Sequence, residues 1–582
     1  MASFPPVVIM IGAAVLVALM PFSIVRKLIA VIAPLLVVVQ LIWGFEAGDS
    51  WSLTWLTMKL EPLRADALSI VFGYVFAIAA AIGGIYAWHL NDRFQQAAAV
   101  GYAGTSIGVV FAGDLLTLVV FWELMALTSA YLVWAGGFPG SRGAGTRYLF
   151  VHMVGGSTLL AGVLWHLGTG GSLEFSAFDG TIAGWLVLGG FAINAAVVPL
   201  HAWLSDAYPE AGVAGSVFLS AFTTKTAVYV LARGFAGWEV LIFLGVIMAL
   251  YGVIFAVLEN DIRRLLAYHI ISQVGYMVAG VGIGTEIAIN GAAAHAFAHV
   301  LYKGLLFMGA GAAIYVTGRR TLTALGGIAH RMPTVVVLYM VGAFAISAFP
   351  LFSGFVSKSL VIYGAEKEHI YWAVALLYLA SVGTFLHTGL KLPYFTWFGP
   401  RRDDIQVGRV PRSMIVAMFF AAFLCIGIGV YPAALYDLLP YPNTYEPYTA
   451  DHVVRTLQML GFTAVGFWLL RGILGGEATI TIDTDWFYRK AGRLVSMFVQ
   501  TPLEATFTCF DVLAGGIARR LGVLANAPAT GWSGVLRLTT YARRNGPDAA
   551  LAYLGRPPVG FALAAVLLTF AVVVLVAQAL GG

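Results

Sequence analysis

Apolar runs long enough to cross a lipid bilayer recur along this chain, and they leave little choice of fold. Phe4–Val25, Ala67–Trp88, Leu115–Trp134 and Phe561–Ala579 are examples. A helix rises about 1.5 Å per residue, so about twenty apolar residues match about 30 Å of hydrocarbon. Scanning with a window of about 19 residues gives about sixteen such segments. Hydrocarbon offers the backbone no hydrogen-bond partners, so only helices and closed β-barrels can cross it. A barrel needs strict alternation of apolar and polar residues, and these runs are apolar on every side. Charged residues make up 10% of the 582 positions and hydrophobic ones 60%. A soluble domain carries about 25% charged residues, so this chain cannot cover itself with a hydrated surface. The expected fold is an all-α, multi-pass membrane protein whose main environment is the lipid bilayer.

The basic residues sort by loop. Arg26/Lys27, Arg93, Arg142, Arg263/Arg264, Arg319/Arg320/Arg331 and Arg401/Arg402/Arg409/Arg412 fall in alternate loops, whereas Gly168–Ile182 and Tyr431–Asp451 contain no Lys or Arg. Lys59, Arg64, Arg233, Lys367 and Arg455 are exceptions. The positive-inside rule makes the rich side cytoplasmic and places both termini outside, as in a protein of a bacterial inner (plasma) membrane. This sorting accounts for the net charge of +5 without a nucleic-acid partner. The N-terminus lacks the basic stretch of a cleaved signal. The two cysteines, Cys425 and Cys509, fit neither a disulfide framework nor a metal motif.

Gly190–Leu200 resembles Gly342–Leu351, each an apolar segment interrupted by a proline, Pro199 or Pro350. Proline inside a helix removes a hydrogen bond at a cost of about 3 kcal/mol. Paired broken helices are a mark of transporters built from repeats. Ordinary proline kinks are the plainer alternative for either one alone.

Ionisable side chains occupy the middle of several spans. Glu123 is the sole charge in Leu115–Trp134, Lys225 lies in Ser216–Arg233, and Lys358 follows the break at Pro350. His295, His299 and Lys303 are spaced i, i+4, i+8, which puts them on one helix face about 6 Å apart per step. A lone charge at mid-membrane costs about 2.5–3.5 kcal/mol, so each needs a partner or water. Histidine titrates nearest neutral pH, and such a ladder suits proton hopping through intervening water. A metal would need ligands beyond the two histidines, and no Glu or Cys stands beside them. No metal and no cofactor is expected. Structural burial is the competing reading for the ladder, and more so for Glu123. His269 reads as an interfacial histidine near a helix end, and Asp206, Glu210, Glu259 and Asp261 as loop or helix-end residues.

Together several segments resemble a known family: Phe121–Met125, Pro199–Glu210, Lys225–Arg233, Asp261–Tyr268, Ser272–Tyr276, His295–Lys303 and Phe352–Lys358. In this order they are similar to the antiporter-like subunits shared by Mrp-type multisubunit cation/proton antiporters and respiratory complex I, and most similar to the D-type component of the former. The resemblance covers roughly residues 60–475. It implies two inverted five-helix repeats, each with a half-channel around a broken helix, joined by a central hydrophilic axis. Glu123 and Lys225 would then serve the first half-channel, His295, His299 and Lys303 the central relay, and Lys358 the exit. One position departs from the pattern. The family places a lysine five residues before the first broken helix's proline, and here that residue is Asn194, which carries neither proton nor charge.

The implied organisation is N-terminal helices (1–114), a first half-channel (115–234), a second (235–400) and C-terminal helices (401–476). A cytoplasmic-side amphipathic segment (477–558) and a terminal anchor (559–582) follow. The expected function is an ion- and proton-translocating subunit of a monovalent cation (Na+)/proton antiporter, working with other membrane subunits of a hetero-oligomeric complex on protons and monovalent cations. A proton-pumping membrane-arm subunit of a complex I-related or hydrogenase-type redox complex is the alternative. A structural homologue that has lost transport is a third.

Overall fold

A computed structural model describes residues 4–55, 58–475, 477, 483–486, 497, 501–526 and 543–544. Contacts group the chain into two units, residues 1–485 and 486–582. In chain order the first unit holds α1 (Pro6–Leu19), α2 (Ser23–Trp43), β1 (Ser50–Trp55), β2 (Met58–Arg64), α3 (Ala67–Tyr86), α4 (Arg93–Phe111), α5 (Leu115–Trp134) and α6 (Ser141–Gly168). Next come α7 (Ile182–Asn194), α8 (Ala202–Ala207), α9 (Val213–Ala221), α10 (Thr223–Gly234), α11 (Val240–Leu258), α12 (Ile262–Ile283) and α13 (Glu286–Thr317). The last are α14 (Pro333–Ile346), α15 (Ser353–Lys367), α16 (Tyr371–Thr384), α17 (Arg412–Val430), α18 (Ala433–Tyr436) and α19 (Ala450–Leu474). The second unit contributes α20 (Thr501–Asn526), on which Phe507, Phe510, Leu513 and Ile517 recur at helical spacing and are exposed.

The polytopic helical fold is as the apolar runs require. Among the described residues, eleven helical segments are long and apolar enough to cross a membrane. The shorter apolar α1, α7 and α14 and the buried α4 bring the candidate crossings among the described residues to fifteen. The expected last span, Val559–Ala579, and most of 477–558 lie outside the described residues. One element escaped the all-α reading: β1 and β2 form an antiparallel hairpin, Ser50 opposite Arg64. Three of the exceptional basic residues are ion-paired: Arg64 to Glu174 at 2.9 Å, Arg233 to Asp66 at 2.5 Å and Arg455 to Asp451 at 2.6 Å.

Helix starts follow from short polar side chains. Asp66, Asp92, Asp114 and Asp261 each accept backbone N–H groups at the first turns of α3, α4, α5 and α12, worth about 1 kcal/mol apiece. Asp114 and Asp261 also form matching bridges, to Glu174 and to Thr321 in the loops ahead of the two broken helices. Five crossings separate these counterparts, and an odd number puts them on opposite faces, as an inverted repeat demands.

Each break begins ahead of its proline. Helix α7 ends at Asn194 with Ala196 at φ 57°, and α14 ends at Ile346 with Ala348 at φ 57°. In both, one N–H reaches back five residues (Val197 to the Ala192 carbonyl, Phe349 to the Phe344 carbonyl, each 3.0 Å), and the preceding one bonds Ile193 or Ala345. This is the Schellman closure of a helix end, with alanine where glycine is usual. The prolines then keep the backbone from resuming as helix at once.

Candidate functional site

The centre of the first unit is polar and closed to solvent. Helix α13 is buried on nearly all sides, and His295, His299 and Lys303 are fully buried on it. His295 Nδ1 lies 3.2 Å from Ser357 Oγ on α15, the residue before Lys358. The rings of His295 and His299 are 6.3 Å apart, in keeping with one helical turn between them. Neither nitrogen of His299 has a hydrogen-bond partner among the described residues. A buried imidazole of this kind is costly unless water or a mobile proton serves it.

Four lysines are buried among the described residues, and three of them hold a helix C-terminus. Lys225 Nζ donates to the Ser220 carbonyl at the end of α9 (2.6 Å) and to Thr224 Oγ1 (3.1 Å). Lys358 Nζ donates to the Ile346 carbonyl that closes α14 (3.0 Å). Lys391 Nζ donates to the Val257 and Glu259 carbonyls at the end of α11. Unpaired carbonyls and the negative end of the helix dipole stabilise an ammonium there without a carboxylate. Lys303 is the exception: its Nζ lies 3.1 Å from His269 Nδ1.

His269 is therefore no interfacial histidine. It is fully buried on α12, with Nε2 3.2 Å from Thr384 Oγ1 and its ring 4.7 Å from that of His387. Beyond Thr384 the helix widens into a π-helical stretch, Phe385–Lys391, that carries His387 and Lys391. Such wide turns recur at functional sites. The sequence reading missed His387 and Lys391 because no residue pattern announces a π-turn.

The first half is arranged differently. Glu123 is half-buried against Gly156 of α6 and makes no hydrogen bond or ion pair within the described residues. It is not paired with Lys225. Asn194 is buried and its Oδ1 has no partner among the described residues. Hydroxyls fill the space nearer Lys225: Thr223 Oγ1 lies 2.5 Å from Tyr102 Oη and 3.4 Å from Tyr148 Oη, which donates to Ser129 at 2.9 Å.

A second missed group sits at the first break. Asp483, beyond α19, accepts bonds from His201 Nε2 (3.1 Å), Tyr251 (2.5 Å), Tyr268 (2.6 Å) and the Thr484 N–H (2.5 Å). Thr484 Oγ1 donates to the Pro199 carbonyl at 3.3 Å. Burial opposes ionisation of Asp483, but the hydrogen bond and charge of His201 and the two tyrosine hydroxyls outweigh it and hold the carboxyl well below the usual carboxylate range. No cluster of three or more His, Cys, Asp or Glu side chains suited to a metal occurs among the described residues.

The arrangement can store and pass protons between fixed, buried bases. A family model described as NADH:quinone oxidoreductase/Mrp antiporter, TM, matches residues 112–384. An uncharacterized protein of Methanocaldococcus jannaschii is 31% identical over 367 residues, which span 59% of this chain and 75% of that protein. A Na(+)/H(+) antiporter subunit of Alkalihalophilus pseudofirmus, of the D type, is 29% identical over 370 residues, 58% of this chain and 73% of that protein. Among solved structures, a chain of the membrane-bound sulfane sulfur reductase, an archaeal respiratory membrane complex, matches with a TM-score of 0.70 at 23% identity, covering 98% of this chain and 99% of that one.

Proposed function

We propose, because this chain belongs to the NADH:quinone oxidoreductase/Mrp antiporter family of transmembrane subunits, that it carries protons within a multisubunit monovalent cation (Na+)/proton antiporter. The observation that carries the reading is the buried line His295–His299–Lys303, with both nitrogens of His299 unpartnered among the described residues. Lys225 feeds this line from the first half, since α10 packs against α13, and Lys358 receives from it through Ser357 and His295. The partners are the other membrane subunits of the complex. The membrane is a bacterial plasma membrane, with the arginine-rich loops cytoplasmic and both termini outside.

The test is His299→Ala in the assembled complex, reconstituted into vesicles. Cation-driven proton movement should fall by about 100-fold or more, the scale of a lost acid–base group, while the subunits still co-purify. Near-normal transport in an assembled complex would overturn the reading.

A redox-driven complex is the second reading, favoured by one observation. The fold match that extends over 98% of this chain is to a subunit of a respiratory complex. The same titratable line would serve there, with the energy supplied by partner subunits. Growth and transport measured with and without an electron donor separate the two.

A further inference from the structure

The relay along α13 to Lys358 needs an inlet from the face that carries the arginine-rich loops. We infer that His387 and Lys391, on the π-helical stretch after α16, together with His269, form that inlet, so that the second half of the chain alone provides a path from one membrane face to the other. This rests on the proton-carrying function proposed above and gives it a route.

The residues stand in order. Glu259 lies at the loop between α11 and α12, beside Arg264 at 3.3 Å. The Lys391 ammonium reaches the Glu259 carbonyl at 3.0 Å. One turn back along the π-helical stretch is His387, whose Nδ1 lies 2.8 Å from Thr388 Oγ1 and whose Nε2 has no partner among the described residues. Its ring meets that of His269 edge to face at 4.7 Å. His269 Nδ1 then lies 3.1 Å from Lys303 Nζ. Every one of these side chains from Lys391 inward is buried. At the far end, Ser359, the residue after Lys358, lines a cavity of about 380 Å³ together with Glu366, Glu446, Asp451 and Arg455. That cavity borders the loop 431–451, which has no Lys or Arg.

The chemistry balances at each step. A protonated His269 gives its Nδ1 proton to the neutral amine of Lys303, leaving a neutral imidazole and an ammonium. His387 then returns a proton to His269 through an intervening hydroxyl or water, and is recharged from the Lys391 side. Each imidazole accepts on one nitrogen and releases from the other, which an amide or hydroxyl replacement cannot do with a net charge.

A structural role for Lys391 as a cap on α11 predicts no water access, so access is what the experiment reads. With Cys425→Ala and Cys509→Ser as background, His387→Cys and Thr388→Cys are treated, in the assembled complex in sealed vesicles, with a membrane-impermeant cationic thiosulfonate. The expected result is labelling at least about tenfold faster from the face bearing Arg263 and Arg264 than from the opposite face, with Ser359→Cys showing the reverse preference. In parallel, Lys391→Met should lower transport by at least about tenfold, as loss of an acid–base group does. If both thiols are protected from that face while Lys303→Ala still abolishes transport, the inlet lies elsewhere and this inference fails alone. If Lys303→Ala leaves transport intact, the proton-carrying function itself fails.

Discussion

Lys303 Nζ lies 3.1 Å from His269 Nδ1, and of the four buried lysines among the described residues it alone is held by a side-chain base and not by a helix C-terminus. The other three donate to backbone carbonyls at helix ends. Lys303 faces a group that can take its proton, and two positive charges at that separation repel strongly in a low dielectric. In the proposed transfer the two therefore act as one donor–acceptor pair.

His269→Ala should consequently cost as much as Lys303→Ala. Each variant is expected to lower transport by about 100-fold, and the double variant to be no worse than either single one, because residues that act as a unit are not additive. The measurement is proton-coupled cation flux in reconstituted complex. Losses that multiply would mean that the two residues act separately.

The spans, the two breaks and the relay on α13 were legible because each is written locally: an apolar run, a proline flanked by small residues, an i, i+4, i+8 spacing. His269 and His387 were not, because their meaning comes from α12, α13 and the π-helical stretch meeting in space. Asp483 was hidden for the same reason, since 282 positions separate it from His201. The β-hairpin was missed because Ser50–Arg64 mixes charged and aromatic residues without a glycine turn. The helix ends before Pro199 and Pro350 were read as the work of proline, whereas alanines in the left-handed region close them, a place where glycine would have been the visible signal.

That last point gives a stability test. Alanine at φ 57° costs about 1–2 kcal/mol in the left-handed region, and glycine relieves it. Ala196→Gly and Ala348→Gly should each raise the thermal stability of the purified complex by about 1 kcal/mol. In an ordinary helix interior the same change lowers stability by about that amount. A fall in melting temperature for both variants would contradict the closure described for α7 and α14.

Asp483 should hold the chain beyond α19 to the first break at every pH the cell meets. Its carboxyl is held well below the usual range, so its stabilisation is complete above the unfolded-state value of about 3.9 and is lost only as pH falls through the lower folded value. Asp483→Asn should cost about 2 kcal/mol, the scale of hydrogen bonds to a charged group. Limited proteolysis between residues 475 and 500 checks both statements. Wild-type protein should resist equally at pH 5 and pH 8, and the variant should be cut faster at both. A wild-type contact that opens between those values would refute the assignment.

Asn194 should make the two halves unequal. Where the family pattern has a lysine, this chain has a buried amide whose oxygen has no partner among the described residues, and Glu123 has neither an ion pair nor a hydrogen bond among them. A carboxylate without a nearby cation gains no charge stabilisation, so no opposite charge moves when Glu123 changes state. Lys358 is different: it is buried, bonded to the Ile346 carbonyl, and adjacent to the Ser357 hydroxyl that contacts His295. Removing it breaks the line on the exit side. Lys358→Ala should therefore lower transport by about 100-fold, against less than about tenfold for Glu123→Gln. Asn194→Lys should then restore weight to the first half, so that Glu123→Gln in that background costs more than it does alone. The comparison needs all four complexes, matched for assembly by co-purification. If Glu123→Gln is as damaging as Lys358→Ala and Asn194→Lys changes nothing, the asparagine has not altered the first half-channel and this account of it is wrong.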